Sequence, residues 1–315
     1  MKAIRVSQFG DPAVLKLEEV PDPAPGPGQA LVRLHAAGVN PVEAYIRSGK
    51  YARLPALPYT PGMDGAGVVE QSDAAALPPG TRVYVTGSLT GTYAEKSVSA
   101  ASDVHPLPDR LSFEQGAALG IPYGTAVWAL FYRGQARWGE RLLIHGASGG
   151  VGIAAVQLAR SAGLRVTGTA GTPEGLDMVR QNGAEAAFNH RTPGYLDQLK
   201  EATGGRGFDM ILEMVANKNL ASDLGLVAAH GRVVVVGSRG PIEIDPRAAM
   251  ARNADIRGVM FFGAPTGEIF DRISSGLEDG SLAPVIGEAL PLEEAARAHE
   301  QIMTSAARGK IVLTM

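Results

Sequence analysis

The chain has 315 residues, 45% of them hydrophobic and 19% charged, with a formal net charge of −3. That length predicts two domains, and that balance predicts a folded globular protein that builds no basic field for nucleic acid or an anionic membrane. The absence of cysteine excludes disulfides, thiolate zinc sites and cysteine nucleophiles.

The opening MKAIRVSQFGD lacks an apolar signal core, so a cytoplasmic chain is expected. The first third reads as β-rich. KAIRVSQ, VLKLEEV, ALVRLHAAGV, GAGVVEQ, TRVYVTG and YAEKSVS are short candidate strands, separated by breakers such as PDPAPGPG (Pro21–Gly28) and PPG (Pro78–Gly80). Strands at this spacing predict a compact barrel or sandwich. The apolar stretch QGAALGIPYGTAVWALFY (Gln115–Tyr132) approaches membrane-spanning length. Gly120, Pro122 and Gly124 interrupt it, so it is read as a buried turn and helix of a soluble protein.

From about Ser112 the pattern changes. Strands RLLIHGA, LRVTGTAG, EAAFNH, FDMILEMV and GRVVVVGS alternate with helices GVGIAAVQLARSAG, TPEGLDMVRQNGA, YLDQLKEATG and LASDLGLVAAH. This alternation predicts a parallel sheet with helices on both faces, and the valine run Val233–Val236 suits a strand covered on both sides. IRGVMFFG (Ile256–Gly263) is a further candidate strand. LEEAARAHEQIMTSAA and GKIVLTM read as a closing helix and strand, which periodicity assigns to neither domain.

HGASGGVGIAAVQLARSAG (His145–Gly163) carries a dinucleotide-type turn between a strand and a helix. Ala147 stands at the first glycine position, and Gly149 and Gly152 at the later two. The following strand ends Thr169-Ala170-Gly171-Thr172, with no acid to grip an adenosine ribose. Such a tip favours NADP over NAD. His190 and Arg191, after the third strand, and Arg239 in VGSRG (Val236–Gly240), after the fifth, are candidate phosphate partners or ordinary loop residues. No G-x-S-x-G or H-E-x-x-H occurs, and the six histidines form no ligand pair at helical spacing. Metal is therefore not expected, and reactivity would come from the cofactor. The adjacent carboxylates Glu18-Glu19 and Glu293-Glu294 read as solvated charges.

Several stretches together resemble the zinc-independent, zeta-crystallin-like quinone oxidoreductases of the medium-chain dehydrogenase/reductase superfamily. They are AAGVNPVEAYIRSGKY (Ala36–Tyr51), LPYTPGMDGAGVVE (Leu57–Glu70), GAALGIPYGTA (Gly116–Ala126), the glycine turn, GTAGTPEG (Gly168–Gly175), QNGAEAAFNHR (Gln181–Arg191), GRVVVVGSRG (Gly231–Gly240) and PVIGEALPLEEAARAHE (Pro284–Glu300). The resemblance implies an α/β protein. It implies a GroES-like β-barrel catalytic domain over 1–115, a Rossmann doubly wound parallel-sheet domain binding NADPH over 116–263, and a return to the catalytic domain over 264–315. Zinc-dependent relatives carry a catalytic Cys and a Gly-His-Glu motif; here Asn40 and Met63-Asp64 stand in their place.

By the same resemblance, Ser148, Gly149, Gly150 and Val151 hold the pyrophosphate. Gly171, His190 and Arg191 surround the 2′-phosphate side, and Asn219, Val236, Gly237, Ser238 and Arg239 line the rest of the cofactor. Tyr45 matches a family tyrosine near the nicotinamide, and Asn40 and Tyr45 are candidates to orient a quinone oxygen. Asn40 also reads as the cap of a helix beginning at Pro41, and Tyr45 as a packed aromatic. One departure is Gly175, where many relatives place a lysine toward the 2′-phosphate. The expected activity is NADPH:quinone reduction. Reduction of the C=C bond of α,β-unsaturated carbonyls and a non-catalytic NADPH-binding role, structural or RNA-binding, stay open. The mild acidity and the lack of an aromatic platform count against RNA. A homodimer or homotetramer through the Rossmann domain is implied, with Val259–Gly263 the candidate edge strand.

Overall fold

A computed structural model describes residues 1–304 and 308–315; residues 305–307, at the end of the expected closing helix, lie outside the described residues. The chain divides into two units, Met1–Ile121 with Thr266–Met315, and Pro122–Pro265. The expected divisions were 115/116 and 263/264.

The first unit begins with strands β1 (Lys2–Arg5) and β2 (Lys16–Glu19), which pair antiparallel. It continues with β3 (Gln29–Gly38), helix α1 (Pro41–Arg47), β4 (Asp64–Ser72), β5 (Arg82–Val85), β6 (Lys96–Ala100), β7 (Val104–Pro106) and helix α2 (Phe113–Gly116). Helix α3 (Gly120–Val127) carries the chain into the second unit. The apolar stretch Gln115–Tyr132 thus becomes α2, α3 and a π-helical turn (Trp128–Arg133) that buries Leu119, Tyr123, Ala126 and Leu130. Among the described residues no helix is long and apolar enough to cross a membrane.

The second unit is a six-stranded parallel sheet of β8 (Arg141–Ile144), β9 (Arg165–Ala170), β10 (Ala186–Asn189), β11 (Phe208–Glu213), β12 (Val227–Val235) and β13 (Asp255–Gly258). Its spatial order is β10-β9-β8-β11-β12-β13, so the strand order reverses between β8 and β11. The helices between the strands are α4 (Gly150–Ser161), α5 (Pro173–Gln181), α6 (Tyr195–Ala202) and α7 (Ala216–Leu226), with the short α8 (Pro246–Met250) before β13. Leu142, Leu143 and Ile144 of β8 are wholly buried, as a strand covered on both faces must be. Leu143 of β8, Leu199 of α6, Ile211 of β11, Leu224 of α7 and Val233 of β12 build one core.

The chain then returns to the first unit through α9 (Thr266–Asp279), β14 (Ile286–Pro291), α10 (Ala295–Ile302) and β15 (Lys310–Thr314). β15 pairs antiparallel with β3 and parallel with β14, giving a seven-stranded sheet ordered β14-β15-β3-β4-β5-β7, with β6 on β3. Leu290, Leu292, Ala298 and Leu313 from this return pack with Ile4, Val39 and Tyr93. Hydrophobic burial from both ends of the chain therefore closes one core, which periodicity could not assign.

Candidate functional site

In open parallel sheets, ligands bind beyond the carboxyl ends of the strands where the strand order reverses. Here that point lies past β8 and β11. β8 stops at Ile144, and the chain turns through Gly146, whose φ of +60° is left-handed and suits glycine. The turn is tied to β9: Gly146 N donates to Thr169 Oγ1 at 3.2 Å and Ala147 N to Thr169 O at 2.8 Å. Gly149, with extended backbone, stands at the N-cap of the twelve-residue α4 and brings no side chain to it. A long helix starting from a glycine cap at a switch point suits an anion, since its first N–H groups and its dipole favour negative charge.

The glycines of the turn answer to sterics. A Cβ on Gly152 would lie 2.5 Å from Gly146 O and 2.7 Å from Ala147 Cα. The alanine at the first motif position is matched across the strand: a Cβ on Gly168 would sit 2.8 Å from the Ala147 methyl. Ala147 is wholly buried, so its methyl fills space that Gly168 leaves open.

Ser148, Gly149, Gly150 and Val151 therefore occupy the turn and the start of α4. Gly171 follows β9, while His190 and Arg191 follow β10, and the structure brings these three together. A Cβ on Gly171 would meet His190 Nε2 at 2.9 Å and Arg191 Nε at 3.0 Å. Burial pushes the His190 imidazole below its ordinary value, with the charges of Arg191 and His145 adding to that. No acid stands at the β9 tip: Thr172 caps α5 through Gly175 N, and Glu174 is exposed in its first turn. Gly175 itself lies beside the turn, where a Cβ would be 3.3 Å from Ser148 Cβ.

Val236, Gly237, Ser238 and Arg239 form the loop after β12. Its backbone is stitched to the loop after β11, by Val236 N to Glu213 O at 2.8 Å, Ala216 N to Gly237 O at 2.9 Å and Arg239 N to Asn217 Oδ1 at 2.9 Å. Asn219, in the first turns of α7, donates its amide to both carboxylate oxygens of Glu213 at 3.1 and 3.2 Å. Beneath these loops lies a buried group that no sequence motif marked. His145 Nε2 lies 2.9 Å from Asp223 Oδ1 and 3.9 Å from Glu213 Oε2.

In the first unit, Tyr45 lies on α1, half-buried, with no side-chain hydrogen bond among the described residues. Asn40 stands at the N-cap of α1, and its backbone N–H is bound by the Glu43 carboxylate, which accepts from Asn40 N at 2.8 Å. The Asn40 amide faces inward. Its two hydrogens go to Glu43 Oε1 at 3.2 Å and Asp64 Oδ2 at 3.0 Å, and its oxygen accepts from Lys310 Nζ. Lys310 also donates to Asp64 Oδ2 at 3.1 Å, and Asp64 Oδ1 accepts from Ile121 N at 2.7 Å. Tyr93 donates its hydroxyl to Glu43 Oε2 at 2.7 Å and contacts His299 Nε2 at 3.1 Å. Burial pushes the Glu43 carboxyl up to about 7, opposed by Lys310 and assisted by Asp64. Burial holds His299 down to about 3, so it is neutral.

Comparison with known proteins agrees with this architecture. Residues 26–109 match the alcohol dehydrogenase GroES-like domain and residues 150–275 the family described as zinc-binding dehydrogenase. A quinone oxidoreductase of Rattus norvegicus is 52% identical, and that of Homo sapiens 50%, each covering 100% of this chain and 98% of its own length. Among solved structures, the quinone oxidoreductase of Pseudomonas syringae is 29% identical with a TM-score of 0.90, covering 100% of this chain and 99% of its own. A mycobacterial protein solved in complex with NADPH is also 29% identical with a TM-score of 0.90, covering 100% of both chains. The zinc in that family description does not fit this chain. It has no cysteine, and its buried Asn40 and Asp64 are joined by a lysine ammonium that would repel a metal cation. The dinucleotide does fit, because a glycine-capped helix start, a tightly packed glycine turn and an acid-free strand tip meet at the switch point. The chain belongs to the quinone oxidoreductase family of the medium-chain dehydrogenase/reductase superfamily.

Proposed function

We propose that this protein is an NADPH:quinone oxidoreductase that works without a metal. The convergence of His190 and Arg191 on Gly171, at a strand tip free of acid, carries the choice of NADPH. The quinone comes from the relatives that are about half identical over the whole chain. Backbone N–H groups of Ser148, Gly149, Gly150 and Val151 hold the pyrophosphate. Arg191 is the fixed cation for the 2′-phosphate, because His190 is held neutral by burial and by Arg191 itself. Asn219, Val236, Gly237, Ser238 and Arg239 line the remaining cofactor.

NADPH, when bound, supplies the hydride that reduces the quinone. The Tyr45 hydroxyl orients a quinone oxygen. Asn40, with both amide hydrogens committed inside the protein, acts through α1 by holding the helix that presents Tyr45. The hydroquinone oxygens take their protons from water, so no strong protein acid is required. The reading includes a cytoplasmic location and an oligomer. β13 is one of the two edge strands of the parallel sheet among the described residues, with Ile256 exposed on it and Met260 and Phe262 exposed just after it, and it is the surface on which two copies pair. The expected strand at Val259–Gly263 lies just past this edge, since β13 ends at Gly258.

The test is a panel of acceptors with NADPH, quinones on one arm and α,β-unsaturated ketones on the other. Rapid NADPH oxidation confined to the quinones is the expected result. Faster turnover of the ketones would move the function to C=C reduction, and tight NADPH binding with no acceptor would leave a non-catalytic protein. Tyr45→Phe should lower quinone turnover about tenfold, the scale of one lost hydrogen bond, with the NADPH Kd unchanged. Unchanged steady-state kinetics would remove Tyr45 from the mechanism.

A further inference from the structure

The group formed by His145, Glu213 and Asp223 has no role in the reading above, yet its hydrogen bonds reach the glycine turn, the β9 tip and the loops after β11 and β12 that the reading uses. His145 follows β8, Glu213 ends β11 and Asp223 lies on α7, so two of the three flank the switch point of the sheet. The side chains of Glu213 and Asp223 are wholly buried and that of His145 is 3% exposed. His145 Nε2 bonds Asp223 Oδ1 at 2.9 Å, and His145 Nδ1 lies 3.4 Å from Thr169 Oγ1, the oxygen that also accepts from Gly146 N of the glycine turn. Glu213 Oε1 accepts from Val215 N, and both its carboxylate oxygens accept from Asn219. Its backbone carbonyl accepts from Val236 N and Gly237 N. Asp223 Oδ2 is buried with no partner. One hydrogen-bonded unit therefore joins the glycine turn, the β9 tip, the loop bearing Asn219 and the loop after β12.

We propose that His145, Asp223 and Glu213 are a positioning triad for the dinucleotide, holding the glycine turn and Asn219 in place, and that the triad's net charge sets how tightly the cofactor's phosphates are held. The inference rests on the NADPH reading and deepens it. With every group ionised, the triad is one imidazolium against two carboxylates, a buried net charge of −1 below an anionic ligand. One proton on Glu213 makes it neutral. Burial raises the Glu213 carboxyl to about 7, with Asp223 adding to the rise and His145 opposing it. For His145, burial acts downward, but the hydrogen bond to Asp223 and the two carboxylate charges outweigh it and hold the imidazole above its ordinary value. The other titratable groups that face the triad are Tyr195 of α6, whose phenol is raised by burial and by both carboxylates, and His190 after β10. Neither adds a compensating positive charge near neutral pH.

The same three side chains offer ligand atoms within 4.8 Å of one another. The 2.9 Å contact between His145 and Asp223 is nevertheless a hydrogen-bond length, shorter than the roughly 3.3 Å that separates two ligands of one tetrahedral zinc. A shared proton fits that geometry better than a metal.

The test is the NADPH Kd from pH 6 to 9 for the wild type and for Glu213→Gln, which keeps an acceptor for Asn219 but cannot ionise. Wild-type affinity should weaken above pH 7, by as much as tenfold per pH unit, the limit for one linked proton. The variant should show a shallower slope by up to that amount. The 2′-phosphate titrates alike in both proteins, so the difference isolates Glu213. A second measurement needs no variant: calorimetry in buffers of different ionisation enthalpy at pH 8 should show proton uptake on NADPH binding. Parallel slopes in wild type and Glu213→Gln, or no uptake at pH 8, would overturn the triad's role while leaving the NADPH reading intact. Stoichiometric metal in the wild type that is lost in Asp223→Asn would also overturn it. Failure of the wild type to bind NADPH at any pH would overturn both readings together.

Discussion

Lys310 puts an ammonium inside the first unit with only 4% of its side chain exposed, bonded to Asn40 and Asp64. A buried charge of this kind is tolerated only with its partner, because removing one side leaves the other desolvated and alone. Lys310→Met should therefore destabilise the protein by about 3–5 kcal/mol in denaturant unfolding, and Lys310→Met combined with Asp64→Leu should recover part of that loss. A single variant as stable as the wild type would show that the pair is not buried as described. The sequence showed Asn40 and Met63-Asp64 where zinc-dependent relatives carry a Cys and a Gly-His-Glu motif, but it could not show the lysine that joins Asn40 to Asp64. Lys310 lies 270 residues from Asn40, on a strand whose domain periodicity left open. His145, Glu213 and Asp223 were invisible for the same reason, since their residue types carry no local spacing and only the sheet order brings them together. Gly171, His190 and Arg191 were legible as a possible group because each follows a strand of one parallel sheet.

At the level of elements, the parallel strands were readable from their unbroken apolar runs, and the α4 turn from its glycines. The errors fell at boundaries. β12 begins at Val227, four residues before the expected GRVVVVGS, and β13 stops at Gly258 instead of running on to Gly263. The three-residue strand β7 is too short for alternation to show. The turn itself makes a sharp prediction. Gly152→Ala places a methyl 2.5 Å from a backbone carbonyl that cannot swing away, so it should weaken NADPH binding at least tenfold and lower Tm. Ala147→Gly removes only a methyl already matched by Gly168 and should leave NADPH binding within a few-fold of wild type in a fluorescence titration. The opposite ranking would mean that the turn is not packed as described. At the strand tips, Arg191→Ala should raise the NADPH Kd about 10- to 100-fold, the loss of a charge-assisted contact, while leaving the NADH Kd within a few-fold.

At the scale of the whole molecule, the glycine turn, the strand alternation and the family stretches made the two-unit architecture legible, while the interior charges were not. Those charges give the protein a pH signature. Glu43 is held at about 7 in the folded state against 4.5 for the free side chain, so the fold binds this proton more tightly than the unfolded chain does. Its contribution to stability is complete below about pH 4.5 and is lost as pH rises through about 7. Thermal stability should therefore fall between pH 5 and pH 8, and Glu43→Gln should flatten that fall by up to about 3 kcal/mol. A pH profile unchanged by Glu43→Gln would place the carboxyl in water.

The central claim is hydride transfer from NADPH to a quinone by a protein that uses no metal. The measurement that meets it most directly is stopped-flow oxidation of NADPH, unlabelled and deuterated at C4, by a quinone acceptor after exhaustive chelation. The account predicts an undiminished rate after chelation and slower oxidation of the deuterated cofactor. Activity that vanishes on chelation and returns with zinc would contradict it.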